Sequence, residues 1–418
     1  MRFLRVGRHF CDGLGGVWRV NWGRAGKMVP GSAWNGARAT FFAAGLVGLT
    51  ALPATADFYD VTPAELPGAP GSIIRFEVRN LAPAGATVFR LLYRSTDPEG
   101  HPVAVSAIAI RPEGETPAGG RDVVAWAHAT SGVVRPCAPS LREDGYAEIP
   151  GLADLLGHGY AVVATDYPGL GTAGPHPYLI GASEAHAVLD SVRALAGIRD
   201  IGASNRFIVW GHSQGGQAAL FTGQLAERYA PDLRLLGVVA AAPATELGQL
   251  FDDDLTSAAG KVLTAMTLYA WNKLYGFPLA EAVDAPAIPE VERIGETCID
   301  SIVGDLEDLE SQRPLKHKFL KIDPAKQPPW ADVTAANVPG QEPIRVPVFI
   351  AQGLADKIVH PSVTEEFVTI LCARDTTVRF LKVPDVGHPT IPERSAPQSV
   401  EWIAERFAGN AAPNDCRR

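Results

Sequence analysis

Apolar residues along this chain fall into two patterns. One is the short, nearly unbroken run: "RDVVAWAHA" (121–129), "YAVVATDYPGLG" (160–171), "RFIVW" (206–210), "RLLGVVAAAPA" (234–244), "VPVFIAQG" (346–353) and "VRFLKV" (378–383). The other repeats apolar positions at helical spacing: "ADLLGHG" (153–159), "SEAHAVLDSVRALAGI" (183–198), "GGQAALFTGQLAERYA" (215–230) and "QSVEWIAERFAG" (398–409). Short apolar strands alternating with amphipathic helices predict a parallel sheet covered on both faces. Ser183 is placed as the N-cap of its helix. Before the alternation begins, "GSIIRFEVR" (71–79) and "ATVFRLLYRSTDPEGHPVAVSAIAIRP" (86–112) read as strands, the second a hairpin turning at Asp97-Pro98-Glu99-Gly100. The expected fold class is therefore α/β, a mostly parallel mixed sheet with helices on both faces. Residues 57–70 are Pro-rich and read as an arm across the surface.

The alternation stops between Pro243 and Val346. That stretch holds the helical "SAAGKVLTAMTLYAWNKLYGF" (257–277), a cysteine, an acidic helix around "GDLEDLE" (304–310) and the Pro-rich "DPAKQPPWADV" (323–333). It is too long for a plain loop and reads as an inserted helical cap. The expected division is 57–245 for the first part of the core, 246–340 for the cap and 341–418 for the second part of the core.

Residues 1–56 differ from the rest. They carry Arg2, Arg5, Arg8, Arg19, Arg24, Lys27 and Arg38 against one acid, Asp12. An apolar run, "ATFFAAGLVGLTAL" (39–52), follows, and Ala54-Thr55-Ala56 fits an A-x-A cleavage site before Asp57. Charged, apolar and small-residue regions in this order read as a secretory signal, with cleavage near Ala56 and export from the cell. An uncleaved anchor is the alternative, but the run is short for a membrane span. A start at Met28 would leave a signal of ordinary length. The chain's net charge is −9, so losing a leader with seven cations and one acid takes the mature protein to about −15. Nucleic acid is a poor partner for that surface, because phosphate binding needs a basic one. The 46% hydrophobic and 20% charged content is that of a globular protein.

Four cysteines lie beyond the leader: Cys137, Cys298, Cys372 and Cys416. An even set in an exported chain implies two disulfides, with three connectivities open. Neither a C-x-x-C pair nor a compact Cys/His cluster suggests a metal site.

The candidate chemistry centres on Gly211-His212-Ser213-Gln214-Gly215. With 42 glycines and serine near ~7%, about 0.3 G-x-S-x-G matches arise by chance. Its context decides: an apolar strand ends at Trp210, a turn spans Gly211 to Gly215, and a helix begins at once. That is the setting of a nucleophile elbow, in which glycines relieve a strained turn and the serine oxygen stands above the sheet edge. A serine nucleophile needs a base, and the base needs an acid to orient it. In sheets of this kind such residues gather at the carboxyl ends of strands. His388 follows 378–383, and Asp356 follows 346–353, giving Ser213, Asp356 and His388 in chain order on three strand ends. His360 is a second histidine candidate and Asp385 a rival acid, though Asp385 shares the loop of His388. Asp166, after another strand, reads as a structural turn residue. An oxyanion hole takes two backbone N–H groups. Gln214 supplies one; the loop "AWAHATSG" (125–132) supplies the other, from His128 or Ala129. His128 also reads as a core histidine, and the His212 and Gln214 side chains as packing of the elbow. Leu263, Met266, Leu268, Tyr269 and Trp271 of the cap either line an acyl pocket or fill the cap's own core.

Several separate stretches in order, "LLYRSTDPEGHPVAVSAIAIRP", "WAHATSG…CAPS", "ATDYPGLGTAGPHPYLIGASEAHAVLD" and "WGHSQGGQAAL…AAAPATEL", resemble the secretory lipase family of α/β-hydrolases. The resemblance runs from about Asp57 to the C-terminus. It implies an α/β-hydrolase fold with a helical cap, and triacylglycerol lipase or carboxylesterase activity. It implies Ser213 as nucleophile in GHSQG, Asp356 as acid in GLAD and His388 as base in GHP. It also implies the pairings Cys137–Cys298 and Cys372–Cys416. The oxyanion loop departs from the family: it reads His-Ala-Thr where bacterial relatives tend to His-Gly-Thr, which leaves the second donor open between His128 and Ala129. The expected protein is a secreted serine ester hydrolase acting on a small-molecule or lipid ester, with transient contact to a lipid interface. It calls for no metal, no organic cofactor and no obligate protein partner. Another acyl-transfer enzyme (an acyltransferase or a peptidase) and a non-catalytic exported binding protein are the rival readings.

Overall fold

The computed structural model describes residues 57–254, 257–299, 315 and 319–416. The expected leader (1–56) and the expected acidic cap helix (304–310) lie outside the described residues. Among the described residues, nine strands form one sheet in the order β1-β2-β3-β5-β4-β6-β7-β8-β9. They are β1 (Ile73–Val78), β2 (Ala86–Thr96), β3 (Pro102–Pro112), β4 (Arg121–Ala127), β5 (Ala161–Thr165), β6 (Ala203–His212), β7 (Arg234–Ala241), β8 (Val348–Gly353) and β9 (Val378–Val383). β1, β2, β3 and β5 pair antiparallel in series, and the remaining pairs are parallel. β2 and β3 form the expected hairpin, closed by Thr96 opposite Pro102.

The unbroken apolar runs follow from burial on both faces. Along β4, Val124 and Trp126 face one core while Val123, Ala125 and Ala127 face the other. The second core receives α2 (Gly181–Leu195) and α3 (Gln214–Tyr229). The first core receives α1 (Leu152–Gly157) and a C-terminal helix. It also takes the helices strung between β7 and β8: α4 (Leu247–Asp254), α5 (Ala258–Tyr275), α6 (Leu279–Ala282), α7 (Ile288–Gly295) and α8 (Trp330–Ala336). Ser257 caps α5 by accepting the Gly260 N–H at 2.9 Å, and Gly276 ends it in the left-handed region at φ +73°. No helix among the described residues is long and apolar enough to cross a membrane.

Three elements depart from the sequence expectation. α2 begins at Gly181, not at Ser183, whose side chain is buried inside the first turn. The acid Glu184 does the anchoring there, accepting the Leu179 N–H at 3.0 Å. Between β8 and β9 runs a helix not foreseen, α9 (Pro361–Ala373), which buries Val363, Phe367 and Leu371. The last helix, α10 (Ile391–Phe407), starts well before Gln398 and passes through Pro397. Proline forfeits one ladder hydrogen bond, yet burial of Ile391, Ala396, Val400 and Ile403 holds the helix together across it.

Candidate active site

The elbow is tighter than its sequence suggests. β6 runs to His212, α3 starts at Gln214, and Ser213 alone makes the turn at φ +55° and ψ −117°. That left-handed backbone is strained for a residue with a Cβ. It is held from both sides: Ser213 N–H donates to Ala241 O at 3.0 Å, and Ala244 N–H donates to Ser213 O at 3.1 Å. The flanking glycines are required by space. A Cβ on Gly211 would fall 1.9 Å from Gly215 O, and one on Gly215 would fall 1.9 Å from Ala127 O.

Asp356 and His388 come from loops that are locked together. At the end of β8, Leu354 N–H donates to Val383 O at 2.9 Å and Ala355 N–H to Val386 O at 3.0 Å. A Cβ on Gly353 would sit 2.3 Å from Val386 O, so only glycine lets the loops approach this closely. His388 Nδ1 lies 2.8 Å from Asp356 Oδ2, and its Nε2 lies 2.8 Å from Ser213 Oγ. Asp356 Oδ1 accepts the N–H groups of Ile358 and Val359, both at 2.9 Å, and Gln352 Nε2 donates to Oδ2 at 3.2 Å. All three residues are buried. Such a chain lets the serine hydroxyl pass its proton to the imidazole, with the carboxylate fixing the tautomer.

His212, read as packing, has a further part. Its Nε2–H donates to His388 O at 3.0 Å, and the two rings lie 4.8 Å apart. Burial, reinforced by His388, holds the His212 ring well below the ordinary histidine range, so it stays neutral. Gln352 was also missed; an amide inside the apolar run "VFIAQG" was its signal. Asp385 is exposed, and His360 is the half-buried residue before α9. Neither joins the chain of bonds. Asp166 is buried and accepts from Ser106 Oγ at 2.6 Å and Ser140 N at 3.0 Å, which fits its structural reading.

Around the serine, Gln214 opens α3, where a first-turn amide has no intrahelical partner. The loop after β4 presses on the same turn: Ala127 O and His128 O lie 1.9 and 2.6 Å from where a Gly215 Cβ would be. The backbone of His128 and Ala129 is thereby brought to the elbow. The His128 side chain is a core group, its ring 4.6 Å from that of Tyr167 and its Nδ1 2.6 Å from Ala129 O. Both disulfides have the pairing implied by the resemblance, Cys137 with Cys298 and Cys372 with Cys416. A cavity of about 40 Å³ opens beside Ser213, lined by Tyr178, Leu179, Leu247, Leu250, Phe251 and Leu263 among others. Of the five cap residues singled out in the sequence, only Leu263 reaches it; Met266, Leu268, Tyr269 and Trp271 are buried in the core. The one group of candidate metal ligands among the described residues, Asp97, Glu99 and His101, sits on the β2–β3 hairpin, with Glu99 and His101 exposed.

Sheet order, one-residue elbow and strand-end partners define an α/β-hydrolase. A family model described as secretory lipase matches residues 146–415, and the chain belongs to that family. Lipase 10 of Candida albicans is 25% identical over 416 residues, covering 90% of this chain and 85% of that protein. A probable inactive lipase of Mycobacterium tuberculosis is 27% identical over 394 residues, covering 86% and 83%. Candida antarctica lipase A in its closed state superposes with a TM-score of 0.72 at 21% identity, over 86% of this chain and 87% of that one. A rice cell wall degrading esterase from Xanthomonas oryzae superposes at 0.66 with 19% identity, over 81% and 98%. These two likenesses establish the fold.

Proposed function

We propose that this protein is an exported serine hydrolase of carboxylic esters, acylglycerols among them. Ser213 Oγ attacks the ester carbonyl while His388 Nε2 takes its proton. The tetrahedral oxyanion is held by the N–H of Gln214 and by one from His128 or Ala129. His388 then protonates the leaving alcohol, and an acyl group remains on Ser213. Water, activated by the same imidazole, releases the acid. Asp356 stabilises the imidazolium in both halves of the cycle.

The observation that carries this reading is the unbroken hydrogen-bonded line from Ser213 through His388 to Asp356, set beside an apolar cavity. One relative is named a probable inactive lipase, and in this chain each link of that line is present. The apolar wall supports an acyl chain as the group bound next to Ser213, with α4 and α5 forming part of that wall. At about 40 Å³ the cavity is far smaller than the ~300–1,000 Å³ of typical ligand sites. A shift of α4 and α5, which contribute Leu247, Leu250, Phe251 and Leu263 to the wall, is the change that would widen it for an acyl chain. The test is turnover of p-nitrophenyl esters of increasing chain length, with Ser213→Ala as control. Turnover that is lost in the variant supports the assignment; turnover that survives removes Ser213 as nucleophile. A triglyceride emulsion assayed beside a soluble short ester separates lipase from esterase.

A further inference from the structure

Two buried titratable residues outside the Ser213–His388–Asp356 line converge on the residue that follows the nucleophile. Gln214 Nε2 lies 2.7 Å from Glu184 Oε1 and 3.1 Å from His176 Nε2. His176 Nδ1 lies 2.8 Å from Pro168 O, a carbonyl that accepts only, so the ring proton sits on Nδ1 and the Nε2 lone pair faces Gln214. The two N–H groups of the Gln214 amide are thus both engaged. Glu184 Oε1 also accepts the N–H of Leu179, a residue with left-handed backbone at φ +58° that lines the cavity beside Ser213. One carboxyl oxygen therefore holds a strained piece of pocket wall and the side chain of the oxyanion residue together.

We propose that Glu184, with His176, is a positioning residue for catalysis: it fixes Gln214 so that its backbone N–H points at the developing oxyanion, and it does so as a neutral carboxylic acid. This rests on the ester-hydrolase reading. Glu184 and His176 are fully buried. Glu184 Oε2 has no partner among the described residues, and no cationic side chain pairs with the carboxyl there. Tyr167 and His176 are the titratable groups beside it. Tyr167 keeps its proton through burial and the neighbouring Glu184. His176 is held down to about 3 by burial, with a smaller contribution from His128. Burial pushes Glu184 up to about 8, against the two hydrogen bonds it accepts. Above that pH a carboxylate appears one side chain away from the oxyanion position and opposes the negative charge that forms there.

Three full-length proteins decide the matter: wild type, Glu184→Gln and Glu184→Ala, assayed on a soluble p-nitrophenyl ester from pH 5 to 10. Glutamine keeps an Oε1 acceptor and has no proton to lose. It is expected to retain kcat at pH 7 within about threefold while losing the fall in kcat that wild type shows near pH 8. Alanine frees Gln214 and lowers kcat about tenfold or more, a fraction of the ~10²–10³ lost with a whole oxyanion donor, and leaves KM within about twofold. A folded Glu184→Ala protein with wild-type kcat overturns the proposal. So does a Glu184→Gln protein with the same basic limb as wild type, which decides the question even where the alanine variant does not fold. A wild type that turns over no ester overturns the hydrolase reading and the proposal together; an active wild type with an unchanged glutamine profile overturns the proposal alone.

Discussion

Ser213 occupies a backbone conformation that its own side chain disfavours, and the surrounding residues explain why it stays there. Gly211 and Gly215 are glycines because backbone oxygens occupy the space of a Cβ. Gly215→Ala drives a methyl into Ala127 O, and neither partner is a flexible side-chain end. The expected cost is about 3 kcal/mol or more, read as a fall in the unfolding midpoint together with lost activity. Asp356→Asn keeps the shape but favours the wrong tautomer of His388; kcat should fall about 10⁴-fold while the protein remains folded. Glu184 makes a stability prediction of its own. Its ordinary value is 4.5 and its folded value about 8, so between those limits the folded chain binds a proton that the unfolded chain does not. Stability contributed by that proton is present below pH 4.5 and is lost as pH rises toward 8. Glu184→Gln lacks the effect, so denaturant melts of wild type and variant should diverge steadily across that window, wild type losing ground. Curves that stay parallel would place the Glu184 proton elsewhere. Ser213, Asp356 and His388 were legible because strand-turn-helix context and chain order constrain them. Glu184 and His176 were not, since a buried acid in a helical stripe looks like any other polar position until its partners converge from α3 and the loop between β5 and α2.

At the scale of elements, the unbroken apolar strands were readable because both faces of the sheet are covered. Alternation gives no signal there, but run length does. The α9 helix is hard to read from sequence because its buried apolar stripe is one residue wide, Val363, Phe367 and Leu371 at successive turns. The start of α10 was missed because Pro397 reads as a break, and only burial of one face overrides it. Element joints also carry a test. Cys137–Cys298 joins the loop after β4 to the chain just beyond α7, and Ile299 N–H donates to Ser131 O at 2.9 Å beside it. Thr130 Oγ1 lies 2.8 Å from the hydroxyl of Tyr178, a cavity residue. Cys372–Cys416 ties α9 to the C-terminal segment instead. Sequence separations of 161 and 44 give roughly 5 and 4 kcal/mol of chain-entropy stabilisation. Replacing either pair by serine should lower the unfolding midpoint, but only loss of Cys137–Cys298 should also lower kcat. Equal effects on kcat would detach the first disulfide from the oxyanion loop.

For the molecule as a whole, the net charge argues against a nucleic-acid partner and residues 1–56 read as an export signal, whereas the wall over Ser213 could not be drawn from sequence. The helical spacing of 257–277 leaves open whether its apolar residues line a pocket or fill a core, and the structure puts Leu263 at the cavity and Met266, Leu268, Tyr269 and Trp271 in the core. If export proceeds as proposed, the N-terminus of the protein recovered from the medium or periplasm is Asp57, and sequencing that end checks it. The central claim is that this chain acts through a nucleophilic serine, and one labelling experiment meets it head on. A fluorophosphonate probe reacts with a serine activated by its histidine and leaves a stable adduct. Incubation of the purified protein with the probe, followed by peptide mass spectrometry, should put one adduct on the peptide holding Ser213, and none there in the Ser213→Ala protein. An intact folded protein that takes up no probe, or takes it up at another serine, would contradict the account.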